Sequence, residues 1–286
     1  MKPAFRKDEA FLADVRQALE GRQKRLWWLG QSGFLIACEG RTVLFDPYLS
    51  DSLTLKYANT DKPHVRMTER VVGPEALARL GTLVAITSSH SHTDHLDAET
   101  LLPLLGSNPG ARLLIPAANR ELVLERLGPG VAGQLLEMDD GGTAEVAGAW
   151  FRAVAAAHNT VERDGHGRCK YLGYVMRWGG VTFYHSGDTL RHEAMVAALA
   201  PLRVDIAFLP INGNLPERRV AGNLDGPEAA QLAKDISARL VIPCHYDLFA
   251  FNTASPEGFV QECRRLEQGC RVLANGEGMD WEGYGE

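Results

Sequence analysis

Hydrophobic side chains recur along the chain in two patterns, one typical of helices and one typical of strands. Residues 7–21 place apolar side chains at helical spacing on one face, which predicts an opening helix. Three short apolar runs follow, and glycines separate them as turns, so they predict a β-meander. These runs read RLWWLG, GFLIACEG and RTVLFDP.

The same two patterns continue through the rest of the chain. A helix over 71–80 precedes the apolar run LVAITSS, and helices and strands then alternate. This first set contains a helix at 98–105, the strand RLLIP, a helix at 117–127 and the strand QLLEM. The second set contains the strand-like runs EVAGAWFRAVAAAH, YLGYVMRW, VTFYHSGD, VDIAFLP, RLVIPCH and CRVL, with helices at 191–199, 226–236 and 256–266.

Each half of the chain therefore has a meander of strands followed by alternating strands and helices. Two sheets packed face to face, with helices outside, would bury both faces of such strands. We therefore predict an α/β fold, a four-layer αββα sandwich, as one domain over 1–286. Residues 1–25 would form a helix packed on it, and the long loops 47–70 and 158–170 would carry binding function.

Composition narrows the class of protein. The 286 residues are 45% hydrophobic and 23% charged, as in ordinary globular proteins. The net charge of −6 argues against a nucleic-acid-binding surface. The opening residues lack the apolar stretch of a signal peptide, and no run is long enough for a membrane span. The five cysteines include no C-x-x-C pair, so we expect reduced thiols, a cytoplasmic location and no membrane insertion.

Four potential metal ligands crowd into the stretch SSHSHTDHLD, directly after the apolar run LVAITSS: His90, His92, Asp94 and His95. Imidazole and carboxylate groups suit zinc, manganese or iron. Structural zinc sites usually use cysteine, and none lies nearby, so the pattern favours a hydrolytic site. Asp97 is the expected N-cap of the next helix.

Further donors stand at the ends of three later apolar runs: His158, Asp188 and His245. A histidine taken singly is more often a core residue than a ligand. If these strands are parallel neighbours, however, their ends meet at one rim of the sheets. The combined set then has enough donors for two divalent ions.

In order and spacing, these residues resemble the metallo-β-lactamase superfamily, from about residue 26 to 275. The resemblance implies the same αββα sandwich. It also implies that His90, His92 and His158 hold one metal. Asp94, His95 and His245 would hold the other, with Asp188 bridging the two.

Asp46, in LFDP, matches a family aspartate that does not bind the metal itself but hydrogen-bonds to the metal ligands and fixes their orientation. The alternative for Asp46 is an ordinary turn at a strand end. His185 precedes Asp188 and by strand alternation faces the other side, so we expect it to have a supporting or structural role. His64, His166 and His192 are expected at the surface.

Finer stretches are similar to the bacterial UlaG-type lactonases, which open L-ascorbate 6-phosphate. These stretches are LWWLGQSGFLIACEGRTVLFDPYLSD, YHSGDT, DIAFLPINGNLPE and NLDGPEAAQLAKDISARLVIPCHYDLF. The resemblance implies a small-molecule substrate, manganese as the metal, and a homo-oligomer; the donor types also suit zinc. Asp188 stands where antibiotic-hydrolysing lactamases use cysteine, so β-lactam hydrolysis is not expected.

Two ions about 3.5–4 Å apart would hold a hydroxide that attacks a carbonyl carbon or phosphorus. Asp94 and Asp188 are the candidate catalytic residues, and Asp94 would orient the nucleophile or pass its proton on. Candidate substrate contacts are Lys170 and Arg218, whose alternative is a solvated cation, and Asn212 and Asn214, whose alternative is turn chemistry.

Four functions remain open at this point. Hydrolysis of a sugar-acid lactone leads, and phosphodiester hydrolysis, including phospholipase D-like cleavage, is the first rival because the same hydroxide attacks phosphorus. A mononuclear iron oxygenase on the same ligands is the second. A metal-stabilised binding module is the third, although it would not need the full ligand set.

Overall fold

The computed structural model describes residues 1–215, 217 and 222–285. Strands and helices alternate in the predicted order. The strands are β1 Arg25–Gly30, β2 Gly33–Cys38, β3 Arg41–Phe45, β4 Leu83–Thr87, β5 Arg112–Pro116, β6 Leu135–Met138, β7 Thr143–Val146, β8 Ala149–Ala155, β9 Leu172–Trp178, β10 Val181–His185, β11 Ile206–Pro210, β12 Leu240–Cys244 and β13 Gly278–Asp280. The α-helices are α1 Asp8–Glu20, α2 Ser52–Lys56, α3 Pro74–Ala78, α4 Ala98–Ser107, α5 Arg120–Leu127, α6 Glu193–Leu199, α7 Gly226–Asp235 and α8 Glu257–Arg265.

The strands form two sheets. The first has the order β13-β1-β2-β3-β4-β5-β6, with parallel pairs from β3 to β6 and antiparallel pairs from β13 to β3. The second has the order β12-β11-β10-β9-β8-β7, in which β10, β11 and β12 are parallel and the other pairs are antiparallel. The predicted mixed sandwich of two sheets with helices is confirmed.

Strand β1 shows how both faces of the first sheet are buried. Leu26 and Trp28 belong to the core that the two sheets share. Trp27 and Leu29 alternate with them and belong to a second core, together with α1 and α4 side chains. Phe11 of α1 meets the Trp27 ring edge to face at 6.2 Å. Burial of each large apolar side chain contributes about 1.5–3 kcal/mol, which fixes the helix layer on the sheet.

The direction of the strands explains the position of the candidate site. β1, β3 and β4 run the same way in the first sheet, and β8, β10 and β12 run the same way in the second. We expected these donor strands to be direct neighbours, but the antiparallel β9 lies between β8 and β10, and β11 lies between β10 and β12. Their common direction is enough to bring their carboxyl ends to a common edge of each sheet.

Two predicted elements differ in the structure, and one strand was not predicted. The run 145–158 is two strands, because Ala147 and Gly148 both take positive φ angles (50° and 82°) and turn the chain. CRVL is not a strand; only Cys270 forms an isolated bridge, to Val241. The final strand is instead 278–280, beside β1. Within the described residues, no helix has the length and apolar character to span a membrane.

Candidate metal centre

The loop after β4 is folded tightly enough to gather its four donors. The backbone N–H groups of His95 and Leu96 donate to the carbonyl of His92 at 3.0 and 2.8 Å. Asp97 then caps α4, as predicted, by accepting from the Thr100 N–H at 3.0 Å. The loop is therefore held between a buried strand and a capped helix.

Seven donor residues lie together at this edge, in two groups. Within each group, one potential ligand atom per residue lies within 4.8 Å of the others. The first group is His90, His92, His158 and Asp188. The second is Asp94, His95 and His245.

Asp188 connects the two groups. Its Oδ1 lies 3.2 Å from His95 Nε2, and its Oδ2 lies 3.3 Å from His245 Nε2. Asp94 Oδ2 lies 3.5 Å from the same His245 nitrogen. One carboxylate therefore reaches both groups of donors, which is the geometry that a bridging ligand requires.

Several of these donor atoms are buried without a hydrogen bond among the described residues. His90 Nε2 and His158 Nδ1 have no such partner, and His95 Nε2 and Asp188 Oδ1 face each other at 3.2 Å without the geometry of a hydrogen bond. Buried polar atoms in proteins are nearly always satisfied, so such a concentration needs an explanation. Imidazole nitrogen and carboxylate oxygen are ligands for divalent cations such as zinc, manganese and iron. The donor set therefore fits a divalent cation.

The electrostatics of the cluster also favour a cation. Burial alone would lower the pKa of His95 and His245. The Asp188 and Asp94 carboxylates outweigh it, raising the pKa of His95 well above its ordinary value and that of His245 to about 9. Despite burial, the same attraction lowers the pKa of both carboxyl groups. By contrast, burial lowers the pKa of His90 well below its ordinary value.

Asp46, at the end of β3, supports the cluster from behind. It is fully buried, and its Oδ2 lies 2.7 Å from His95 Nδ1. The hydroxyl of Thr87 and the backbone N–H of Ser89 donate to it at 2.7 and 3.2 Å. Ser89 Oγ in turn lies 2.9 Å from His90 Nδ1. These contacts orient the two imidazoles so that their Nε2 atoms face the cluster.

His185 lies outside both groups, in agreement with strand alternation. Its Nε2 lies 2.8 Å from the Ser32 carbonyl, and its ring stacks on Phe45 at 5.3 Å. The Gly187 N–H donates to its Nδ1 at 3.2 Å. The side chain therefore joins the two sheets and holds the turn that carries Asp188.

Two residues of the site were not identified from the sequence. Gln31, in the turn after β1, places its side-chain nitrogen 2.8 Å from Asp94 Oδ2. Gly222 has a φ of +93°, and a Cβ atom there would lie 2.0 Å from His158 Nδ1. Gln31 follows a strand with the same direction as the donor strands, which is a usable signal. Gly222 gave none, because its contact arises only in the folded chain.

A cavity of about 550 Å³ opens beside the two groups, and His92, Asp94, His158, Asp188 and His245 contribute to its lining. Four rings in mutual contact, which we call the aromatic wall, also line it: Tyr57, His64, Phe249 and Phe251. Lys56 and Arg126 are its cationic side chains, and Tyr171 lies beside the first group. His64 is thus a half-buried cavity residue and not the surface residue expected.

The predicted substrate contacts lie elsewhere in the described part of the chain. Lys170 is not among the cavity residues and pairs with Glu162 at 3.5 Å. Asn212 is buried, and its Nδ2 donates to Asn252 Oδ1 at 2.9 Å. Asn214 accepts from a backbone N–H at 3.1 Å and lines a separate cavity. Arg218 lies outside the described residues.

Known proteins share this architecture. The sequence profile of the beta-lactamase superfamily domain matches residues 25–245. A UPF0173 metal-dependent hydrolase from Myxococcus xanthus is 28% identical over 90% of this chain and 82% of its own. One from Chloroflexus aurantiacus is 31% identical over 67% of this chain and 76% of its own.

A solved structure has the same fold. It is that of a possible metal-dependent hydrolase from Veillonella parvula, 16% identical, with a TM-score of 0.70 over 90% of this chain and 99% of that one. The family profile spans well over half of the present chain. The protein therefore belongs to the metallo-β-lactamase superfamily.

Proposed function

We propose that the protein is a metal-dependent hydrolase that binds two divalent ions, one in each donor group, with Asp188 between them. The observation that carries this proposal is the set of seven converging donors, several of them buried without a hydrogen bond in the described structure. The relatives named as metal-dependent hydrolases support the same class of reaction. Manganese and zinc both suit imidazole and carboxylate ligands, and iron does as well.

When bound, a pair of divalent ions lowers the pKa of a shared water and polarises the scissile group. The side chains of the chain do the rest. Asp94 is only half-buried and lines the cavity, so its carboxylate can orient the nucleophilic water and carry its proton to the leaving group. Asp46 holds His95, and Ser89 holds His90, in the orientation that ligation needs.

For the substrate, we propose the lactone of a sugar acid, as in UlaG-type enzymes, including a phosphorylated one. The cavity supports this choice in two ways. The aromatic wall lines the cavity with apolar ring surface against which a sugar ring can pack, and Lys56 and Arg126 offer positive charge to a phosphate or carboxylate. Arg126 already donates to the carbonyls of Ser91 and Leu96 at 2.7 and 3.0 Å, so Lys56 is the more available cation.

A second candidate is a phosphodiesterase, including one that cleaves phospholipids. It is favoured by exposed apolar side chains in the segment that supplies Tyr57 and His64 of the aromatic wall. Leu55 is 71% exposed and Val65 is 54% exposed. An acyl chain at the mouth of the cavity would cover such side chains.

The test is metal analysis of the purified protein together with a panel of lactones and phosphodiesters. Two ions per chain and hydrolysis of a lactone, lost together in His92→Ala and Asp188→Ala, are expected. Faster turnover of phosphodiesters would select the second candidate. Full activity and full metal content in both variants would refute the two-ion hydrolase, and a single iron with oxygen-dependent turnover would replace it with an oxygenase.

A further inference from the structure

Gln31 holds an unusual position between the two sheets. It lies in the turn between β1 and β2 with a φ of 48°, a conformation that costs energy for any residue with a side chain. Its carbonyl accepts from the His245 N–H at 2.9 Å and from the Trp28 indole N–H at 3.0 Å. Its backbone is therefore fixed directly beside a donor of the second group.

The side chain of Gln31 points into that group. Its Nε2 lies 2.8 Å from Asp94 Oδ2 and 3.1 Å from His245 Nε2. Only 1% of the residue is exposed, and its Oε1 is buried without a hydrogen-bond partner in the described part of the chain. One end of the amide thus touches two of the three donors, while the other end is unsatisfied.

The two groups differ in their number of donor residues. The first has four, whereas the second has only Asp94, His95 and His245 besides what Asp188 shares with it. An amide oxygen is a neutral ligand for divalent cations. The two ends of a carboxamide are nearly alike in shape, so a half-turn about its last bond exchanges them.

We propose that Gln31 is a further metal ligand, which binds the ion of the second group through Oε1. With a cation present, the amide N–H would point at positive charge, and the half-turn removes this repulsion. It also gives the oxygen, which has no hydrogen-bond partner among the described residues, a cation to bind, and places the amide nitrogen at the position that the oxygen leaves. The inference rests on the proposed two-ion function and adds one residue to it.

A purely structural role makes a different prediction. If Gln31 only donates a hydrogen bond to Asp94, a carboxylate in its place removes the donor and repels Asp94. If it ligates through oxygen, a carboxylate of the same length keeps the ligand and adds charge. Gln31→Glu therefore separates the two roles, while Gln31→Leu removes both.

The experiment measures binding of Mn²⁺ and Co²⁺ to the metal-free protein by calorimetry, with the Co²⁺ absorption spectrum as a second signal of coordination. Wild type should bind two ions. Gln31→Leu should keep the first and weaken the second on the order of 10- to 100-fold, as for other losses of metal-site support. Gln31→Glu should bind the second ion as tightly as wild type or more so. Gln17→Leu, the same change at an exposed helix position, is the control and should match wild type.

The outcomes separate the two proposals. If wild type binds fewer than two ions, the two-ion hydrolase fails and the Gln31 ligand with it. If wild type binds two and Gln31→Leu binds the second equally well, only the Gln31 proposal fails. Weaker binding of the second ion, with an altered Co²⁺ spectrum, in Gln31→Glu would also overturn the Gln31 proposal. If Gln31→Leu does not fold, the result for Gln31→Glu decides by itself.

Discussion

Asp46→Asn tests whether the buried carboxylate behind His95 tunes the metal centre. The substitution keeps the shape of the side chain and removes its charge. Although burial opposes that charge, His185 and His95 lower the pKa of Asp46, so the carboxylate is its ionised form. A hydrogen bond to a charged group contributes about 1.5–3 kcal/mol, whereas a neutral one contributes about 0.5–1.5 kcal/mol. The 2.7 Å bond to His95 should therefore weaken by about 1–2 kcal/mol, or about 5- to 30-fold in metal affinity.

Competition with a chromophoric chelator measures this affinity for each ion. The ion of the second group, which contains His95, should lose more than the ion of the first. Asp280→Asn is the matched control, because that carboxylate lies on the edge strand β13, where it pairs at 2.8 Å with Arg25 at the amino end of β1. Equal metal affinities in wild type and Asp46→Asn, within a factor of about two, would show that the Asp46 carboxylate does not strengthen metal binding through His95.

Three further predictions concern pH, packing and charge. The pKa of His245 is about 9, so this imidazole is protonated below pH 9. A metal ion that binds it must displace that proton. Metal affinity should therefore rise between about pH 7 and pH 9. Calorimetry in two buffers with different ionisation enthalpies measures the released proton, and a metal affinity that does not change with pH would contradict the prediction. Gly222→Ala, whose Cβ would lie 2.0 Å from His158 Nδ1, should lower both melting temperature and first-group affinity, unlike Gly165→Ala, which meets open space. Lys56→Met should raise KM for a phosphorylated lactone with little effect on the unphosphorylated one; equal changes for both would exclude charge recognition.

Much of the fold was predictable because its strands are short, apolar and bounded by turn residues. β1 and β5 begin and end at the predicted residues, 25–30 and 112–116. The joined strands over 145–158 were missed because the turn there has a left-handed Ala-Gly pair. Gly148 carries the same turn signal as the glycines of the first meander, but the alanines on either side of it made the whole run look like one strand.

The donor residues were found because they combine an uncommon residue type with strand ends. That reasoning says which edge of a sheet a loop leaves, but not how the loop folds afterwards. Lys170 and Asn214 follow this logic and yet lie outside the cavity lining. Phe249 and Phe251 looked like ordinary apolar residues, and only their packing on His64 makes them a wall.

The division of the donors between the two sheets has a consequence for assembly. His90 to His95 follow a strand of the first sheet, whereas His158, Asp188 and His245 follow strands of the second. A cation held by both sets would act as a cross-link between two layers that share an apolar core. Fragments separated at the exposed residues Asp140 and Gly141, between β6 and β7, would carry His90 to His95 on one piece and the other three donors on the other. They should reassociate more tightly when metal is supplied, so that the ion reports whether the two pieces have docked correctly.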